Sequence, residues 1–292
     1  MANLKSWILA SRPKTLTAAL VPVVIGSALA QAETGVMDGM VIVLTLLASL
    51  FIQIGTNFVN DAMDFKKGAD TEKRIGPQRV TQAGIFKAHQ VLWMASFFFA
   101  LAILCGIPLA IKGGVPILVI GLVSVLMGYG YTTGPFPLAY RGLGDLFVIL
   151  FFGVIAVGGV YFLHTETLTF SALVAGLQVG FHCTVLIAIN NLRDWEGDRL
   201  VNKKTLPLRF GKVFARREIA FLCLSPFVLG IFWIFKGWIA AFGLPLLWVP
   251  LAIRITKLVF QTEPSPAYNH FLGKAAALHL FFGLFLSAGF LV

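Results

Sequence analysis

Nine apolar runs, most of them close to the length that crosses a bilayer, constrain this chain more than any other feature of its sequence. They fall at roughly 16–32, 40–60, 90–110, 115–132, 144–163, 168–190, 217–235, 238–253 and 275–292. About 20 residues of helix span a hydrocarbon core of ~30 Å. In lipid each backbone N–H and C=O must be paired inside the protein, a demand that an α-helix meets by itself. Only 12% of the 292 residues are charged and 58% are hydrophobic. A soluble domain carries about 25% charged residues and needs a polar surface that this composition cannot supply. The expected fold is all-α: a polytopic membrane protein, a bundle of nine transmembrane helices around a central cavity, forming one domain over 1–292. The run at 238–253 is short enough to pair with the one before it as a broken hairpin.

The charges test this count. With the N-terminus inside and the spans alternating, 21 of the 23 basic residues fall on the inner side, leaving Lys112 and Lys236 outside. That asymmetry follows the positive-inside rule, so the N-terminus is expected to be cytoplasmic and the C-terminus on the outer side of a cell membrane. The net charge of +10 is thereby explained as topology, and no nucleic-acid partner is expected. No obligate protein partner is expected either. Cys105, Cys183 and Cys223 lie in apolar runs without a CxxC spacing and read as small hydrophobes. No cleavable leader is expected, because the first apolar run contains Pro22 and leads straight into the multi-span pattern.

Two inner segments, 61–88 and 191–216, are long and acidic as well as basic, which marks the cytoplasmic face as the functional one. Each begins with an acidic cluster at the end of a span. The first reads from Asn57 through Asn60, Asp61 and Asp64 to Asp70, and the second from Asn190 and Asn191 through Arg193 and Asp194 to Asp198. Asn57 and Asp61 are four residues apart, as are Asn190 and Asp194; on a helix that spacing turns amide and carboxylate to one face. Topology needs no acids. Gathered carboxylates repel one another unless a cation compensates, and Mg²⁺ suits a few carboxylates completed by water and substrate phosphate. Lys67, Lys73, Arg74 and Arg79 follow the first cluster, while Arg199, Lys203 and Lys204 follow the second. Acids for metal beside bases for anions make a diphosphate site, and a diphosphate site opening into a membrane implies a head group with a hydrocarbon tail. Polyprenyl diphosphate is the simplest such molecule.

Other polar residues are open to two readings. Gln53 and Gln178 either line the pocket or bond across helices. His182 reads as a packed, hydrogen-bonded residue. Tyr131, in a Gly/Pro-rich segment with Arg141 and Asp145 nearby, either shapes the pocket mouth or belongs to an interfacial turn. A secondary transporter for an anion would also use two similar helix-end clusters, although transporter sites lie near the bilayer midplane.

The sequence resembles the intramembrane aromatic prenyltransferase superfamily, the relatives of 4-hydroxybenzoate polyprenyltransferase. The resemblance rests on SRPKT at 11–15, NDAMDFKKGAD at 60–70, RIGPQR at 74–79, YTTGPFPLAYRGLGD at 131–145 and NNLRDWEGDRLVNKKTLPLRFGK at 190–212. Asn60, Asp61 and Asp64 match the superfamily's first motif, and Asp194 and Asp198 its second. Within the superfamily the chain is most similar to the branch that prenylates 1,4-dihydroxy-2-naphthoate in menaquinone biosynthesis, an enzyme of the cell inner membrane. The resemblance implies Mg²⁺-dependent transfer of a polyprenyl group to that acceptor with decarboxylation, giving demethylmenaquinone and diphosphate. It implies Asp61, Asp64, Asp194 and Asp198 as catalytic metal ligands. Substrate is then expected on Asn57, Asn60, Lys67, Arg74, Arg79, Tyr131, Arg141, Asn190, Asn191, Arg193 and Lys203. The superfamily's third acid would fall at Gly68 but is displaced to Asp70, as in the naphthoate branch, which weakens the case for Asp70 as a ligand. Prenylation of 4-hydroxybenzoate or homogentisate is the alternative within the same chemistry. For the acceptor carboxylate Arg141 is the first candidate partner, with Arg12 and Lys14 as the others.

Overall fold

The computed structural model describes residues 4–70 and 74–292, so that Lys73 lies outside the described residues. It is helical, with no strand among the described residues. The spans are α1 (Thr17–Thr34), α2 (Gly39–Lys66), α3 (88–113), α4 (114–130), α5 (Gly144–Thr165), α6 (Phe170–Arg193), α7 (Leu206–Phe235), α8 (Ile239–Gln261) and α9 (Tyr268–Leu291).

The division between α3 and α4 rests on one glycine. Ala88–Gly130 is helical over 43 residues, which would extend ~65 Å if straight, about twice the hydrocarbon core. Gly114 breaks it at φ 64°, ψ −153°, a conformation that a side chain excludes. The chain turns back there. Ser96 Oγ lies 2.7 Å from Tyr129 Oη, and the rings of Phe99 and Tyr129 are 5.0 Å apart, whereas a straight helix would separate those residues by ~45 Å. Eight helices among the described residues are long and apolar enough to cross a membrane, and the break in the longest of them brings the number of passes close to the nine expected from the apolar runs.

Several boundaries differ from the expectation. α2 runs on to Lys66, so Asp61 and Asp64 sit in its last turns. The segment 191–216 is largely helical rather than open loop, with a short helix at Trp195–Leu200 and α7 beginning at Leu206. Pro207 in the first turn starts α7 without losing a hydrogen bond, and Gly211 at φ 86° kinks it. α8 reaches Gln261 and α9 starts at Tyr268. Hydropathy ends at Arg254 and Lys274, but a helix does not, since long basic side chains carry their charge out to water from inside a helical segment.

α6 lies at the centre, packed on α5, α7 and α9. Its approach to α5 is backbone on backbone: a Cβ on Gly153 would fall 2.4 Å from the Gly176 oxygen, and one on Gly180 would fall 2.6 Å from the Ile149 oxygen. Such small-residue contacts let membrane helices gain dispersion energy where lipid offers no hydrophobic drive. Over Ile149–Ile155 α5 widens to a π-helix beside this contact. On α3, by contrast, Trp93, Phe97, Ile103, Leu104 and Ile111 face outward, the surface of a helix solvated by lipid. Gln178 donates to the Pro226 oxygen at 2.7 Å and accepts from Trp233 Nε1 at 3.0 Å, while His182 Nε2 lies 3.1 Å from the Cys223 oxygen. Both bond across helices. The three cysteines are free.

The two ends of the bundle differ. At one end Tyr161 Oη and Thr169 Oγ1 donate to Glu33 Oε2 at 2.6 and 3.1 Å, with Lys236 3.9 Å from the same carboxylate. There too Lys112 donates to Asp38 Oδ2 at 2.6 Å, and the Asp38 N–H reaches His164. The two basic residues assigned to the outside thus each pair with an acid of the 31–39 connection. The acidic clusters gather at the other end.

Candidate active site

The end of α2 and the end of α6 face one another across a cavity of about 190 Å³, room for roughly six waters at liquid density. Asp64 and Asp194, one from each cluster, both line it, together with Arg12, Arg74, Arg79, Arg193 and Lys203. Asn60, Tyr131, Asn190 and Asn191 also reach it. Two of the four motif carboxylates and eight of the eleven residues expected to bind substrate or hold its head group are therefore brought to one place.

The segment 74–79 is drawn over the cavity by ion pairs. Arg79 Nη2 donates to Asp64 Oδ2 at 3.2 Å and its Nε lies 3.1 Å from Asp70 Oδ2, while Arg74 pairs with the other oxygen of Asp70. Asp70 is thus a clamp on two arginines and does not itself line the cavity. Burial pushes its carboxyl above the ordinary value, against the pull of Arg79 and Arg74. On the other side Arg193 holds Asp194 bidentately, Nε and Nη2 donating at 2.8 and 2.7 Å. Burial works against the Asp194 charge, yet these bonds and the charges of Arg193, Arg74 and Lys203 keep it below the usual carboxylate range. A Cβ on Gly76 would fall 2.8 Å from Arg193 and 2.9 Å from Arg74, so both guanidinium groups pass close against the backbone at that point.

Asp198 pairs with Lys203 Nζ at 3.4 Å through Oδ1, while its buried Oδ2 has no hydrogen-bond partner. Burial lifts its carboxyl to about 6, with Asp194 adding repulsion and Lys203 opposing. Asp61 is placed differently from its motif partners. Its two oxygens accept from the Val80 and Thr81 N–H groups at 3.2 and 3.1 Å, and it stands outside the cavity lining. Asn57 is likewise spent on structure: its amide donates to the Ser11 oxygen at 2.8 Å and to Thr15 at 3.1 Å, holding the SRPKT turn against α2. Lys67 donates to the Thr132 oxygen at 2.6 Å and lies over the Tyr140 ring, 4.2 Å from its centre. Arg141, the first candidate for an acceptor carboxylate, is exposed and stacked on Phe136 at 3.8 Å, outside the cavity. Arg12, named beside Arg141 as a candidate, is the one of the two that reaches the cavity. It lines the cavity with Nη2 unpartnered, and burial together with Arg79 and Arg74 pulls its guanidinium down to about 9.

Three residues enter that the sequence did not single out. Tyr140 donates to Asp64 Oδ1 at 3.0 Å and carries both Lys67 and Lys203 over its ring. Thr132 donates to Asn60 Oδ1. Asn269, at the start of α9, accepts from Arg193 and donates to the Ile75 oxygen at 3.1 Å. Tyr140 and Thr132 lie in the 131–145 segment and could have been weighed there; a single Asn opening an apolar helix gives no signal.

No group of three or more His, Cys, Asp or Glu side chains is close enough to hold a metal unaided among the described residues. The carboxylates instead stand on both sides of a basic cavity. That donor set fits Mg²⁺, which takes one or two carboxylates and completes its shell with water and phosphate oxygens.

The UbiA prenyltransferase family matches residues 19–287. The chain is 32% identical to a 1,4-dihydroxy-2-naphthoate octaprenyltransferase of Haemophilus influenzae, over 99% of this chain and 97% of that protein. It is 33% identical to the enzyme of the same name from Escherichia coli, over 98% and 97% of the two chains. Its fold is similar to that of a UbiA homologue from Archaeoglobus fulgidus bound to DMAPP and Mg²⁺, with a TM-score of 0.62 at 16% identity over 97% of this chain and 99% of that one. A match over almost the whole chain, on a bundle whose two acidic helix ends meet at one basic cavity, leaves one conclusion: the chain belongs to the UbiA prenyltransferase family.

Proposed function

We propose that this protein transfers a polyprenyl group from polyprenyl diphosphate to 1,4-dihydroxy-2-naphthoate, with loss of the acceptor's carboxylate and release of diphosphate. The observation that carries this reading is the meeting of Asp64 and Asp194, from two helix ends, in one cavity with five basic side chains. The two relatives named as 1,4-dihydroxy-2-naphthoate octaprenyltransferases support the acceptor. Mg²⁺, when bound by Asp64 and Asp194 with Asp198 and Asp61 behind them, supplies neutralising charge and Lewis acidity to the departing diphosphate. Arg74, Arg79, Arg193 and Lys203 bind the diphosphate oxygens and stabilise charge as it develops there. Asn60, Asn190, Asn191 and Tyr131 shape the same cavity, and the enclosing helices keep water from the allylic cation.

Arg12 is the partner assigned to the acceptor carboxylate. An anion in an apolar surround needs a donor, and Arg12 Nη2 is buried in the cavity wall without a hydrogen-bond partner. The protein lies in the cell membrane with its N-terminus and its active site cytoplasmic and its C-terminus on the outer side, as the distribution of basic residues supports. The test gives purified protein one prenyl diphosphate and equal amounts of 1,4-dihydroxy-2-naphthoate, 4-hydroxybenzoate and homogentisate, then weighs the products. A prenylated naphthalene lacking the carboxyl mass is expected to dominate. Dominant prenylated 4-hydroxybenzoate would overturn the acceptor while leaving the donor site standing.

A further inference from the structure

One carboxylate of the cavity is absent from both acidic motifs. Asp145 opens α5 and is 5% exposed, and it lines the same cavity as Asp64 and Asp194. Its Oδ2 receives a long hydrogen bond from Asn191 Nδ2 at 3.5 Å, while its Oδ1 is buried with no hydrogen-bond partner. The carboxylates of the two acidic clusters are already engaged: Asp64 by Arg79 and Tyr140, Asp70 by Arg74 and Arg79, Asp194 by Arg193, Asp198 by Lys203 through one oxygen, and Asp61 by two backbone N–H groups. Among the described residues no basic side chain forms an ion pair with Asp145.

The walls of the cavity differ to match. Arg74 and Arg193 converge over Gly76 on one side. Around Asp145 the wall is Gly144, Ile187, Tyr131 and Asn191, and it is close-fitting: a Cβ on Gly144 would fall 2.8 Å from Tyr131 Oη and 3.2 Å from Ile187. The first wall is suited to a polyanion. The second offers a mostly uncharged surface with one buried carboxylate oxygen that has no hydrogen-bond partner, which suits a hydroxylated aromatic ring. A cation-paired carboxylate is a weak proton acceptor, so the unpaired one is the group equipped to accept a proton.

We propose that Asp145 is the general base of the transfer, taking the proton from a ring hydroxyl of the aromatic acceptor as that ring attacks the prenyl chain. The hydroxyl O–H bond breaks and its proton passes to Asp145 Oδ1. The O–H electron pair moves toward the ring as the carbon–oxygen bond becomes a carbonyl. A ring carbon uses its π pair to bond the allylic carbon, whose bond to oxygen breaks with both electrons leaving on diphosphate. Asn191 holds the other carboxylate oxygen and is a positioning residue. The titratable groups near Asp145 are Tyr131, from the loop before α5, and Glu218 of α7; Lys203, Arg12, Asp64 and Asp194 line the rest of the cavity.

The inference rests on the aromatic transfer proposed above, and the experiment separates the two. Wild type, Asp145→Asn and Asp145→Glu are given prenyl diphosphate, Mg²⁺ and 1,4-dihydroxy-2-naphthoate from pH 6.5 to 9.5. Asp145→Asn is expected to lose about 10²- to 10⁴-fold in kcat at pH 7, with KM for prenyl diphosphate within about threefold of wild type. Its deficit should shrink as pH rises toward the phenol's own ionisation near ~10, because a phenolate needs no base. Asp145→Glu, which keeps a carboxylate, is expected to stay well above Asp145→Asn at pH 7 and to follow the wild-type pH profile. A deficit equal at every pH, or Asp145→Asn turnover near wild type, overturns the proposal. Should Asp145→Asn not fold, a pH profile of Asp145→Glu that rises with hydroxide rather than following wild type overturns it equally. A wild-type protein that prenylates no aromatic acceptor would overturn the underlying function instead.

Discussion

Arg193 Nη1 donates to Asn269 Oδ1 at 2.7 Å, joining the end of α6 to the start of α9 across 76 positions of sequence. The Asn269 amide continues to the Ile75 oxygen at 3.1 Å. One neutral side chain thereby ties the second acidic motif to the segment that delivers Arg74 and Arg79. Asn269→Ala removes a hydrogen bond from a buried guanidinium and one from a backbone carbonyl, worth together about 1–3 kcal/mol. Apparent KM for prenyl diphosphate is expected to rise about tenfold while kcat changes less, since the anion must then order the segment itself. Steady-state kinetics against the donor checks this, and an unchanged KM would contradict the tie.

The motif carboxylates are expected to separate under mutation. Asp64→Asn and Asp194→Asn, which face the cavity, should each reduce turnover by at least ~10²-fold, with partial recovery at high Mg²⁺. Asp61→Asn keeps one acceptor oxygen and turns an N–H toward the Val80 or Thr81 N–H that its carboxylate now binds. It should also lose activity, but without Mg²⁺ rescue and with faster proteolysis in 74–86. Turnover across a Mg²⁺ titration, with limited proteolysis of each variant, distinguishes the two kinds. Near-normal activity of Asp194→Asn at limiting Mg²⁺ would remove it from the metal site.

Protons should compete with Mg²⁺ near Asp198. Burial lifts its carboxyl to about 6, so the ionised form that binds metal is present above that pH and is lost as pH falls through it. Apparent Mg²⁺ affinity is expected to drop about tenfold between pH 7 and pH 5 through this group alone. Asp198→Asn should bind Mg²⁺ more weakly throughout and lose that part of the pH dependence. Isothermal titration of the detergent-solubilised protein with Mg²⁺ and inorganic diphosphate at several pH values reads both effects.

An orientation is expected from the same charges that test the count of spans. A reporter active only outside the cytoplasm, fused after Val292, is expected to be active, and one fused within the exposed connection near Lys204 inactive. The reverse pattern, with both fusions well expressed, would contradict a cytoplasmic active site.

Much of this protein was legible in the sequence alone. The many apolar spans and the two acidic helix ends are local or additive properties. Hydrophobic length decides insertion, basic residues decide sidedness, and i,i+4 spacing decides which carboxylates share a helix face. Even the break at Gly114 falls between two apolar runs that the sequence separates. Tertiary structure alone decided how each polar group is spent, because in a low-dielectric bundle any buried charge or amide takes whatever partner the packing brings within reach. Asn57 went to the Ser11 oxygen and Asp61 to the Val80 and Thr81 N–H groups, although their spacing made them candidates for substrate and metal. Arg141 was turned onto Phe136 and Arg12 into the cavity, the latter a choice that depends on where the SRPKT turn meets α2. Asp145 was left with one oxygen free. Whether a carboxylate is paired is a fact about three-dimensional neighbours, and no spacing along one chain contains it.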